Sequence, residues 1–94
     1  MGIPVRRVLA KKLKAPDFRR AYDKLEIEFA IAQMLIEARA KAGLTQAQLA
    51  KRMGTTQSAV ARLESGKRMP SIDSLESYAR ATGCRLHIEL VRAA

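Results

Sequence analysis

Apolar residues along this chain follow two periods. From Pro16 to Gly83 they recur every three or four positions, the spacing of one helical face. From Cys84 to Val91 they alternate: Leu86, Ile88 and Leu90 fall on one side, His87, Glu89 and Val91 on the other, the pattern of a strand with one apolar face. In the helical part, Phe18, Ala21, Tyr22 and Leu25 predict a short helix opened by Pro16-Asp17. A long helix to about Ala42 follows, with Phe29, Ala32, Leu35, Ile36 and Arg39 on one broad face and Gly43 as its stop. Three short helices come next, each with a capping hydroxyl before it and a glycine after it. They are Gln46–Met53 between Thr45 and Gly54, Gln57–Glu64 between Thr56 and Gly66, and Ile72–Thr82 between Ser71 and Gly83. Ile72, Leu75, Glu76 and Ala79 form the expected inner side of the last.

A lone strand leaves its backbone N–H and C=O groups unpaired. The simplest partner for Cys84–Val91 is the same strand of a second subunit in a two-fold dimer, with Leu86, Ile88 and Leu90 as its contact residues. Pairing with Ile3–Val8 of the same chain is the competing arrangement, weakened by Pro4 and by the consecutive Arg6-Arg7.

The segment Gln46–Ser65, "QAQLAKRMGTTQSAVARLES", sets Leu49 and Met53 four apart, the small Ala50 beside them, Gly54 at a corner, then Val60 and Leu63 three apart. Two helices crossing steeply over a short turn need this set: apolar residues to fix the crossing, a small one for close approach, and glycine for the turn. On a wheel at about 100° per residue, Ala59, Val60 and Leu63 gather on one arc of the second helix, and Gln57, Ser58, Ala61, Arg62 and Ser65 on the other. A merely solvated face more often carries Glu and Lys in i,i+4 pairs. Here two small residues flank Gln, Ser and Arg, and Gln and Arg are the side chains that bond bidentately to adenine and guanine edges. Gln57, Ser58 and Arg62 are thus the candidate base readers. Gln46, in the first turn of the preceding helix where free N–H groups favour an anion, and Lys67 and Arg68, beyond the second helix, are candidate phosphate contacts. Lys51 and Arg52 read equally well as solvated.

Charge adds weight to this picture. Lys and Arg number 18 against 9 acids, a net of +9. The excess is concentrated in residues 1–24 and 45–70 and absent from 25–44 and 71–94. A polyanion is the natural partner of such a domain. Enzyme chemistry finds no support: the chain has one His and one Cys, no triad, no metal spacing and no phosphate loop. His87 reads as an exposed strand residue, Cys84 as a small boundary residue, and Met34, Met53 and Met69 as gap fillers. No cofactor or metal is expected. A single cysteine and the lack of any long apolar run or secretory signal suit a cytoplasmic protein.

The stretch "LTQAQLAKRMGTTQSAVARLESGK" resembles the helix-turn-helix of the lambdoid phage repressor/Cro and XRE families, over Leu44 to about Gly83. The resemblance implies phosphate contact at Gln46, base-edge contact at Gln57, Ser58 and Arg62, and a structural salt bridge between Arg39 and Glu64; Thr56, which caps the second helix, is a further candidate phosphate contact. The flanks, "FRRAYDKLEIEFAIAQMLIEARAKAGLTQ" and "PSIDSLESYARATGCRLHIELV", resemble HigA-type antitoxins, which repress their own operon as dimers and neutralise a HigB/RelE-type ribonuclease toxin. Such toxins are typically basic, and a basic arm matches them poorly. The resemblance therefore directs toxin contact to Phe18, Tyr22, Leu25 and Phe29, and leaves the arm to DNA. A stand-alone, phage-like repressor with no toxin partner is the alternative.

The expected architecture is all-α: a lambda-repressor-like helix-turn-helix bundle of about five helices with a C-terminal β-strand that pairs in a dimer. Residues 1–15 form a basic arm, 16–83 the DNA-binding domain with its motif at 46–65, and 84–94 the dimerisation strand and tail. The expected partners are palindromic double-stranded DNA and a second copy, with no membrane association.

Overall fold

A computed structural model of the chain describes residues 16–93, with side chains from residue 20 onward. The basic arm, residues 1–15, and the side chain of Phe18 lie outside the described residues. Four helices are present among them: α1 Pro16–Lys41, α2 Gln46–Met53, α3 Gln57–Leu63 and α4 Ile72–Ala81. None is long and apolar enough to cross a membrane.

The local punctuation follows directly from residue chemistry. Thr45 closes a capping box: its hydroxyl accepts from the Gln48 N–H, and the Gln48 side chain accepts from the Thr45 N–H. Thr56 and Ser71 cap α3 and α4 by accepting from the N–H groups of Ala59 and Ser74. Gly54 ends α2 in the left-handed region at φ 70, where its N–H meets the Lys51 carbonyl and the next N–H, of Thr55, reaches back to Ala50. The same double bond pattern closes α1 at Gly43-Leu44 and α4 at Gly83-Cys84.

The core is small and aliphatic, with one tyrosine. Leu35, Leu49, Ala50, Val60, Leu75 and Tyr78 form a single buried cluster, and Leu49, Val60 and Tyr78 are fully buried. Burying a Leu or Val side chain contributes about 1.5–3 kcal/mol, so this group holds the helices together. Ala50 of α2 is buried in this cluster, and its small side chain lets the neighbouring helices pack closely.

Three expectations about the helices need correction. The short helix at Pro16 and the long one after it are a single 26-residue helix, because no Gly, Pro or capping residue interrupts the chain between Leu25 and Phe29; the helix count falls from about five to four among the described residues. Within α1 the inward stripe is Glu28, Ala32, Leu35 and Arg39, with Ile31 and Ala38 partly buried beside it, whereas Phe29 is 64% exposed. In α4 the inward stripe is Leu75 and Tyr78, continued by Thr82 just past its end, while Ile72 and Glu76 face solvent. In both helices a polar contact to Glu64, from Arg39 or from Tyr78, sets the rotation that apolar spacing alone left open.

Residues 84–93 form no strand: a strand is defined by a paired neighbour, and nothing among the described residues pairs with this segment. Leu86 is half-buried against the core, and Ile88 and Leu90 are exposed.

Candidate nucleic-acid interface

The two-helix unit is held by one carboxylate. Glu64, at the C-terminal end of α3, is buried, and three side chains converge on it. Arg39 of α1 donates two bonds to it, Nε to Oε2 at 2.7 Å and Nη2 to Oε1 at 2.9 Å, and uses Nη1 to hold the Leu44 carbonyl at 3.1 Å. This is the fork geometry that suits a guanidinium to a buried carboxylate. Gln46 of α2 donates its amide N–H to Oε1 at 3.0 Å. The Tyr78 hydroxyl of α4 lies 2.6 Å from Oε2 and 2.7 Å from the Leu35 carbonyl. A phenol has one proton, so the two acceptors share it. All four helices meet at this point.

The electrostatics follow from that geometry. Burial by itself would push the Glu64 carboxyl up, but the hydrogen bonds from Arg39, Gln46 and Tyr78, with the Arg39 charge, outweigh it and hold the group below the usual glutamate range. Hydrogen bonding to Glu64 raises Arg39. Burial, then the adjoining carboxylate, raises the Tyr78 phenol. The hub is thus an ionised, fully satisfied network, and no buried side-chain polar atom among the described residues lacks a partner.

Beyond the hub lies the polar face of α3. Val60 is buried and Ala59 and Leu63 are partly buried, so the helix packs by this arc. Gln57, Ser58, Ala61, Arg62 and Ser65 are all exposed on the opposite arc. The proposed base readers thus share one exposed face, with only alanine between them. Arg62 and Arg68 line the same cleft of about 580 Å³, together with Thr55, Ser71 and Ser74. Lys67 and Arg68 sit in the turn after α3, which the Ser65 hydroxyl shapes by donating to the Arg62 carbonyl and accepting from the Lys67 N–H. Thr56 uses its oxygen to cap α3, leaving its hydroxyl proton for an outside acceptor. Gln46 is half-buried and has one amide N–H committed to Glu64; its second N–H makes no hydrogen bond among the described contacts.

Two contributors escaped the sequence reading. Tyr78 closes the hub from 14 and 43 residues away, and no local pattern signals such a contact. Arg52 donates to the Ala81 carbonyl at 3.2 Å, bracing the end of α2 against the end of α4; a basic residue in a last turn next to an open helix end was the available clue.

Leu25 and Phe29 sit on the first half of α1, exposed by 60% and 64%, and Tyr22 is half-buried. Phe29 nonetheless reaches the turn at Gly66, where its Cα and ring edge would lie 3.6 and 3.8 Å from an added Cβ.

The family described as Helix-turn-helix matches residues 35–88, more than half of the chain. An uncharacterized HTH-type transcriptional regulator from Methanothermobacter thermautotrophicus is 43% identical over 56 residues, covering 60% of this chain and 80% of that protein. No solved structure matches the chain significantly.

Proposed function

This chain belongs to the helix-turn-helix family, and from that premise we propose that it is a transcriptional regulator that reads a palindromic operator as a homodimer. The observation that carries the reading is the exposed Gln57, Ser58 and Arg62 face on a helix whose other arc is packed into the core. Helix α3 enters the major groove. Gln57 and Arg62 bond to base edges, with Ser58 between them. Lys67, Arg68, Thr56 and the second amide proton of Gln46 grip phosphates and fix the register. Two copies related by a two-fold axis read half-sites about 34 Å apart, one helical turn, or a multiple of it. Selection of bound sequences from a random DNA pool tests specificity, palindromy and spacing together. Recovery of unrelated sequences would sink the reading.

A second reading adds a protein partner: the chain is the HigA-type antitoxin of a HigB/RelE-type ribonuclease toxin. The exposed Leu25 and Phe29, on the part of α1 that precedes the family match, support it, because large apolar residues at one helical face invite a partner. The stand-alone regulator remains the alternative. Co-expression with the product of the neighbouring reading frame separates the two. Co-purification, lost in a Leu25→Asp/Phe29→Asp variant that still binds DNA, supports the antitoxin; a neighbour that neither binds nor harms the cell leaves the stand-alone regulator.

A further inference from the structure

The segment after α4 has no paired neighbour among the described residues, and its exposure profile is unusual. Leu86 rests against the core, Ile88 is 61% exposed, Leu90 is 99% exposed and Val91 is 82% exposed. His87 Nε2 and Glu89 Oε1 lie 3.8 Å apart, so these two side chains share one side of the segment. That is the alternation of a strand, with its backbone bonds unmade among the described residues.

We propose that residues 85–91 pair antiparallel with the same residues of a second copy, about a two-fold axis that passes through Ile88. The inference rests on the dimer reading above and fixes its register. Side chains directly opposite in an antiparallel pair lie on the same face, so the axis must fall at a residue and not between two; otherwise apolar positions oppose polar ones. An axis at Glu89 sets two carboxylates against each other. An axis at His87 opposes the two imidazoles and leaves Leu90 facing Cys84. An axis at Ile88 opposes Ile88 with itself and Leu86 with Leu90, twice. On the other face it sets His87 against Glu89, also twice, and even a neutral imidazole has an N–H to donate to that carboxylate.

This register also accounts for Leu90. A two-stranded ribbon alone is marginal in water. Here Leu86 anchors each strand to its own bundle, and the axis at Ile88 carries Leu90 of one copy to the partner's Leu86, at the edge of the partner's core. The residue that is bare in one chain is covered in two.

Cysteine cross-linking of the full chain, with Cys84→Ser as background, reads the register. Ile88→Cys, His87→Cys and Glu89→Cys are oxidised separately and followed on non-reducing gels, with sedimentation of the background protein alongside. The axis at Ile88 predicts a dimer in sedimentation, cross-linking of Ile88→Cys about tenfold faster than of either neighbour, and a hetero-cross-link when His87→Cys and Glu89→Cys are mixed. Fastest cross-linking of His87→Cys would overturn the register while leaving the dimer. Equal rates at all three positions would mean parallel strands and would overturn it too. A monomer in sedimentation with no cross-link at any position would remove the dimer itself.

Discussion

The Tyr78 hydroxyl stands 2.6 Å from the Glu64 carboxylate, 14 residues away in sequence, and joins α4 to the end of α3. Tyr78→Phe removes that donor and leaves the Leu35 carbonyl without its 2.7 Å partner. The expected loss is about 1–3 kcal/mol, the cost of leaving buried acceptors unsatisfied. Urea unfolding at neutral pH measures it, and a change near zero would mean the hydroxyl contributes nothing to the hub.

Glu64 gives the protein an acid-sensitive term. Its carboxyl titrates lower in the folded chain than in the unfolded one, so the folded state favours the ionised form. The unfolded chain takes up the proton first as pH falls, so stability drops from the usual glutamate range near about 4.3 downward, until pH passes the folded value. Melting temperature plotted against pH is expected to fall more steeply for the wild type than for Glu64→Gln in that window, and to run parallel above it. Glu64→Ala strands the Arg39 guanidinium; breaking a buried pair costs about 3–5 kcal/mol, and the partial exposure of Arg39 places this case at the low end.

Base and phosphate contacts separate by their specificity. Arg62→Ala is expected to cost about 1–3 kcal/mol on the selected operator and little on unrelated DNA. Lys67→Ala is expected to weaken binding to all sequences alike and to reduce the salt slope by about one. Titrations at several salt concentrations, on operator and random duplex, measure both. Equal losses for Arg62→Ala on both duplexes would indicate non-specific binding.

Gly66 sits at φ 72 beside Ala32 and Phe29, where an added Cβ would meet neighbours at 3.5 Å and beyond, an ordinary contact. Gly66→Ala is therefore expected to destabilise through its backbone, by about 1–2 kcal/mol, and not through crowding. Gly54→Ala, at φ 70 in open space, should cost a similar amount. A much larger loss at Gly66 alone would point to packing against α1.

Features that depend on neighbours in sequence were readable in advance. Thr45, Thr56, Ser71 and the glycines that end the helices act within one turn, and the helices of the motif begin and end close to where these residues place them. The exposed arc of α3 was readable for the same reason: seven residues at a fixed angular step admit one apolar side. The rotations of α1 and α4 were not, because each has apolar residues on more than one side. Phe29 and Ile72 look like core residues by spacing, but Arg39 and Tyr78 must point at Glu64, and that turns both outward. The segment from Cys84 had the period of a strand, yet a strand needs a second chain segment, which one sequence cannot display.

Helix α3 is only seven residues long and is secured at its two ends and along its back: Thr56 caps it, Val60 packs beneath it and Glu64 locks its exit. Gln57, Ser58 and Arg62 carry none of that load among the described contacts. Under the proposed function, recognition is thereby uncoupled from folding, and the three positions can be re-lettered to address a different operator on an unaltered scaffold.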